Sequence, residues 1–197
     1  MLTAALPSHE GFRCEVLAEA DLPALQAFFE ANPEYFHAVC GEPPRPDEAR
    51  QEFDDRPPED MPYEGVWLLG FRDVAGELVA MASVLGNFLA PGVWHIGLFI
   101  VASRLHGSGV AQQTYAALEG WMRASGAQWI RLGAVIGNAK AERFWEKMGY
   151  AEVRRRDGVP MGQRVNDLRV FVKPLGAAGV DDYLSVVPRD RPASALP

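Results

Sequence analysis

Hydrophobic and polar positions change period several times along the chain, and the changes mark its elements. Residues 12–18, Phe-Arg-Cys-Glu-Val-Leu-Ala, alternate loosely, as a half-buried strand does. Leu22, Leu25, Phe28 and Phe29 then recur at helical spacing, behind Asp21 as N-cap and Pro23 in the first turn, up to the stop at Asn32-Pro33. A second, short helix is predicted over Glu34–Val39, ending at Gly41. The stretch 42–62 is rich in proline and acid, with one helical turn from Asp47 to Phe53; it reads as a solvated loop or as a flexible wall beside a pocket.

From there the pattern is that of strands: 65–72 and 77–85, joined by the turn Asp73–Gly76, then a long apolar strand over 93–101. Helical spacing returns over 107–124, where Val110, Thr114, Ala117, Leu118 and Trp121 form the inward stripe. A strand over 127–136 follows, and Asn138 caps a helix over 139–148 that Gly149 ends. Two last strands, 150–155 and 166–173, enclose a polar loop with Gly158, Pro160 and Gly162. Beyond Leu175 the composition turns to Gly, Pro, Asp and Ser, and partial disorder is expected. Strands joined through a helix at 93–136 run parallel with a right-handed crossover, while the hairpins are antiparallel. The predicted class is α/β with a mixed, mostly antiparallel twisted sheet, one domain over 1–175 and a tail over 176–197.

Composition narrows the classes. The 197 residues are 48% hydrophobic and 23% charged, an ordinary globular balance with enough chain for a core. A net charge of −7 argues against nucleic-acid binding, which needs Lys and Arg to neutralise phosphates, and is weakly compatible with a cationic or amine-bearing substrate. No apolar run approaches the roughly 18–20 residues of a membrane span. Met1–Glu10 has neither the basic start nor the apolar core of a secretory leader, so a cytoplasmic protein is expected. Cys14 and Cys40 make neither a disulfide framework nor a metal-binding spacing, and no metal is expected.

The chemistry concentrates at Val101–Ala111, where an apolar strand passes through Gly107 and Gly109 into a helix. The first backbone N–H groups of a helix have no intrahelical partner and converge on one point, where the helix dipole adds favourable potential for an anion. The blander account is that the glycines only close a turn. Twenty-seven residues after Ala111, directly behind the next parallel strand, stands Asn138-x-x-Ala141-x-x-Phe144-Trp145-x-x-x-Gly149-Tyr150. Together the two stretches resemble the GNAT superfamily of acyl-CoA-dependent N-acyltransferases, closely over 93–150 and by order of elements over 12–175.

That resemblance implies a central parallel pair splayed to admit acetyl-CoA. It also implies pyrophosphate held by the backbone of His106, Gly107, Ser108, Gly109, Val110, Ala111 and Gln112, in a register that leaves Arg104 flanking. Two departures appear: His106 replaces the family's Arg or Gln, and Ser103 its frequent Pro. The backbones of Phe99 and Val101 would pair with the pantetheine arm, and one donor would polarise the thioester carbonyl. Asn138 would reach the arm, or serve only as an N-cap. Trp145 stands where the family carries its acidic Tyr. An indole N–H is no proton donor at physiological pH, so the thiolate would leave unassisted or with help from another group or water, and Trp145 would pack against the arm or in the core.

His95, whose ordinary pKa near 6.5 suits proton removal, is the candidate base; the alternative is a plain strand histidine. Glu34, Tyr35 and His37 are candidates for the acceptor site, with Phe36 as a further wall. The function expected is transfer of acetyl from acetyl-CoA to an amine of a small molecule or peptide by direct attack. A non-catalytic acyl-CoA-binding regulatory module is the alternative, motivated by Trp145. A Rossmann-type nucleotide domain is disfavoured, because hairpins precede the turn and no acidic residue closes the strand after the helix. For partners, the expectation is an amine acceptor, neither nucleic acid nor membrane, and a homodimer as a common state of such folds.

Overall fold

The computed structural model describes residues 5–196; the start of the Met1–Glu10 stretch and Pro197 at the end of the tail lie outside the described residues. In chain order the elements are β1 (Ser8–His9), β2 (Phe12–Val16), α1 (Leu22–Ala31), α2 (Glu34–Val39), α3 (Glu48–Asp54), β3 (Gly65–Arg72), β4 (Leu78–Gly86) and β5 (Val93–Val101). They continue as α4 (Val110–Ala124), β6 (Trp129–Val135), α5 (Ala139–Lys147), β7 (Ala151–Met161), β8 (Arg164–Pro174) and α6 (Val180–Val186). The strands form one eight-stranded mixed sheet in the order β1-β2-β3-β4-β5-β6-β8-β7, antiparallel except for the parallel pair β5–β6.

Strand alternation sorts the core into two layers. On one face, Leu69, Ala82, Trp94, Ile130, Leu132 and Phe171 pack under α4 and α5 with Leu118, Trp121 and Trp145. On the other, Leu68, Met81, Leu98 and Ile100 pack under α1–α3 against Leu25, Phe28, Phe29 and Phe36.

The alternation of β5 breaks once. Ser83 of β4 faces Leu98 while Val84 faces Ile96, so Gly97 has no partner and forms a bulge. Before it Trp94 and Ile96 face the α4 layer; after it Phe99 and Val101 do, and Leu98 and Ile100 face the other way. The bulge bends β5 where its pairing with β6 ends. The parallel ladder runs from Val93–Trp129 to Ile96–Leu132 and no further, while β5 stays with β4 and β6 with β8. A split opens between the C-terminal halves of the two parallel strands.

Two expectations are corrected. The polar loop around Gly158–Gly162 is strand: β7 and β8 extend to Met161 and Arg164, with a second irregularity after Arg156. Gly158 falls at that irregularity and Gly162 in the tight turn between the strands, so neither interrupts the pairing on its two sides. The segment after Leu175 is ordered by burial. Tyr183 and Val187 pack with Trp129, Val153, Val170 and Val172 on the half of the sheet that α1–α3 leave bare. Asp190 is fully buried, bonded to Arg131 of β6 by Nε–Oδ2 at 2.6 Å and Nη2–Oδ1 at 3.1 Å, with the Tyr183 hydroxyl donating to it at 2.5 Å. Arg154 donates to the carbonyls of Arg189, Ser194 and Leu196 and holds the remainder down. Among the described residues no helix is long and apolar enough to cross a membrane.

Candidate active site and cofactor groove

The turn between β5 and α4 has the shape an anion site needs. Gly107 and Gly109 sit at φ +82° and +91°, where a side chain would be strained, and nothing lies within 4 Å of where a Cβ would be. Gly109 is the N-cap, and the first bond into the helix is from Gln113 N–H to its carbonyl, at 3.1 Å. The N–H groups of Val110, Ala111 and Gln112 thus have no carbonyl partner in the helix and point out of its end, with the Ser108 hydroxyl 3.5 Å from that of Val110. Ser108 braces the turn by donating to the Leu105 carbonyl at 2.6 Å. His106 takes a different part: Nε2–H donates to the Val101 carbonyl at 2.9 Å and Nδ1 accepts from Lys140, so a lysine ammonium stands beside the cradle.

The edge of β5 that faces the split carries free hydrogen-bonding groups. Ala102 N–H donates to Val79 of β4, so by antiparallel alternation Ile100 and Ala102 bond towards β4. Phe99 and Val101 therefore turn their N–H and C=O groups to the split, with His106 already on the Val101 carbonyl. Across the split, Asn138 caps α5 by accepting from Ala141 N–H at 3.3 Å, and its amide NH2 is left over. Trp145 is buried, 7% exposed, in an aromatic cluster with Phe99, Tyr115, Phe144 and Tyr150.

Three cavities meet along this line. The first, beside the cradle, is walled by Val101, His106, Ala111 and Lys140. It shares Tyr35, Phe99, Asn138 and Trp145 with a second, which fills the split. That one shares His95, Gly97, Arg131 and Arg156 with a third, under α3 and the segment after it.

His95 lies at this last junction, on the face opposite Trp94. Its ring stacks on Phe88, and its Nδ1 is 3.1 Å from the Arg131 carbonyl and 3.4 Å from the Arg131 guanidinium; the nearer carbonyl assigns the proton to Nδ1 and leaves Nε2 unprotonated. Burial, then the Arg131 guanidinium, push its pKa down to about 3. Facing the same cavity is Glu52 of α3, beside Ser83; burial pushes its carboxyl up to about 7.

The acceptor candidates separate. Tyr35 lines the first two cavities, and burial raises its hydroxyl above the usual range, so it stays protonated. Glu34 is at the mouth of the cofactor groove, where Ser103 donates to it at 2.5 Å and holds its carboxyl below the usual range. His37 is exposed on α2 and lines none of the three. Sequence reasoning missed Glu52, Arg131, Arg156, Arg189 and Lys140. Glu52 was one acid among many in a polar stretch, and the arginines come from three elements far apart in sequence. A signal existed only for Lys140, two residues behind the helix cap.

Comparison with known proteins agrees with this fold. The fold matches an acetyltransferase from Thermus thermophilus at TM-score 0.62 and 22% identity, over 84% of this chain and 97% of that one. A ribosomal-protein-alanine N-acetyltransferase from Brucella melitensis gives 0.61 and 24%, over 83% and 99%. Spermidine N-acetyltransferase from Vibrio cholerae, solved with CoA and spermine, gives 0.62 and 15%, over 84% and 96%. No curated protein sequence matches the chain. Residues 25–150 match the family model for the acetyltransferase (GNAT) family, and the chain belongs to that family.

Proposed function

We propose that the protein transfers an acetyl group from acetyl-CoA to the amine of a small molecule or peptide. The carrying observation is the continuity of the three cavities: an anion cradle at one end, a free strand edge in the split, and a polar cavity beyond it. Acetyl-CoA fits the first two by chemistry. Its pyrophosphate suits the N–H groups of Val110, Ala111 and Gln112 with Lys140 beside them, and its pantetheine amides suit the exposed edge at Phe99 and Val101, with the Asn138 amide opposite. When bound, it supplies an acyl carbon activated as a thioester.

The chain's own groups would supply the proton handling. An acceptor amine must lose a proton before it can attack, and the Glu52 carboxylate is suited to hold that proton near neutrality. His95, depressed to about 3, is matched to a neutral hydrogen-bond acceptor through Nε2 rather than to a base. The departing sulfur needs a proton, and Trp145 has none to give. Tyr35 brings a protonated hydroxyl to the place where split and groove meet.

Incubation with acetyl-CoA, a panel of amines and a thiol-detecting reagent tests the reading. Thiol release is expected with some amine, and Tyr35→Phe is expected to lower kcat about tenfold or more with little change in KM for acetyl-CoA. No release from any amine would sink the transferase. The buried Trp145 then favours the second reading, a CoA-binding module without turnover, which calorimetry would reveal as tight CoA binding alone.

A further inference from the structure

The cavity under α3 has two chemically distinct walls. On the α3 side stand Glu52 and Asp55, with Arg56 spent on the backbone carbonyls of Phe53 and Asp55. The opposite side is built from Arg131 of β6, Arg156 of β7 and Arg189 of the turn after α6. These guanidiniums are held close together with little to balance them. Arg131 is neutralised from behind by Asp190. Among the described residues Arg189 pairs only with the exposed Asp60, at 3.5 Å, and its Nε is buried with no partner. Arg156, half-buried, forms no ion pair among the described residues, and its burial and the neighbouring Arg131, Arg154 and Arg189 push its pKa down. Crowding like charges in a partly desolvated wall is costly unless a counter-ion arrives.

Of the other carboxylates of the acidic stretch, Asp60 touches this wall at Arg189, while Glu42, Glu48 and Asp54 are engaged elsewhere. Glu48 pairs with Arg45, Asp54 with Arg50, and Glu42 accepts from Gln163. The cationic acceptor that net charge hinted at is therefore not what the cavity matches.

We infer that the acceptor is a small amine that also carries a carboxylate, an amino acid, with its carboxylate on Arg156 and Arg189 and its amine towards Glu52. Guanidinium forks match a carboxylate with paired N–H donors, and Arg189 has one such donor already buried and waiting. Gly97 and His95, shared with the split, form the floor between the two walls, so an amine held there would lie beside the site of transfer. This inference rests on the acetyltransferase reading for the use of the cavity, and its test separates the two.

The test compares L-amino acids, their carboxamides and linear polyamines, first as acceptors with acetyl-CoA and then as ligands of the CoA-loaded protein by calorimetry. Amino acids are expected to be used and bound, with the carboxamides weaker by about tenfold or more, the loss of a charge-assisted bond. Arg156→Ala should raise KM or Kd for the amino acid by a similar factor and leave the carboxamide unchanged. Arg189→Gln serves as the second variant, with circular dichroism checking that each remains folded. If carboxamides or polyamines serve equally well, or both variants leave the preference intact, the inference is overturned and the transferase stands. If amino acids bind with this preference but no acetyl moves, the carboxylate site on Arg156 and Arg189 stands as a binding site and the transferase falls. If no amino acid is bound or used, the inference is overturned.

Discussion

Two side chains in the same cavity are driven in opposite directions by the same cause. Burial disfavours the charged form, which for His95 means a pKa near 3 and for Glu52 a pKa near 7. A proton acceptor must be deprotonated, so acetyl transfer should rise with pH through about 7. Glu52→Gln should remove that rise in kcat/KM, whereas His95→Ala should lower the rate and keep it. A limb that survives in Glu52→Gln and vanishes in His95→Ala would return the role to the histidine. The same shift predicts a stability effect of definite sign. A carboxyl whose folded pKa is raised stabilises the fold fully below its unfolded value near 4.5 and loses that contribution as pH climbs through about 7. Glu52→Gln should therefore be more stable than the wild type at pH 8 by about 1–2 kcal/mol in denaturant unfolding, and show little difference at pH 4.

Among elements, the joint between β5 and α4 and the bulge in β5 determine what the groove can hold. The joint was legible in the sequence because Gly107 and Gly109 mark backbone positions that other residues avoid. Gly109→Ala places a Cβ at φ +91° and should cost about 1 kcal/mol in thermal unfolding. A larger effect is expected in CoA affinity by calorimetry, since the N–H groups of the first turn are aimed by that residue; unchanged affinity would show that the cradle is not used. The bulge was not legible. Gly97 in an apolar strand announces a weak point, but which partner it loses depends on the register with β4, and register is a property of two strands. With that one residue the facing of the strand changes, so His95 reaches on to the cavity under α3 and Phe99 and Val101 to the groove beside the cradle, with the split lined by both His95 and Phe99 between them.

On the scale of the molecule, the C-terminal segment completes the cavity that the acceptor would enter. It covers Trp129, Val170 and Val172, supplies Arg189 to the cationic wall and neutralises Arg131 with Asp190. Burial alone would raise the Asp190 pKa, yet Arg131 and Tyr183 hold it below the usual carboxylate range. Its stabilising contribution is present above the unfolded value and fades as pH falls through the folded one. Asp190→Asn removes the charge and leaves the Arg131 guanidinium buried beside His95, which should destabilise by about 3 kcal/mol in denaturant unfolding. A loss under about 1 kcal/mol would mean that water reaches Arg131 and that the tail is no part of the cavity wall.

The order of elements, the cradle and the face shared by Phe99 and Val101 were set locally, by period, caps and glycines, and a single sequence carries all of that. The C-terminal segment and the cavity under α3 were not. A segment rich in Gly, Pro, Asp and Ser looks disordered until a bare half-sheet gives Tyr183 and Val187 something to bury against, and Arg131 something for Asp190 to pair with. Arg131, Arg156 and Arg189 are each an ordinary arginine in the sequence. Only the sheet order, which places β6 and β7 on either side of β8 beneath the returning tail, makes them one wall, because electrostatic meaning depends on distance in space.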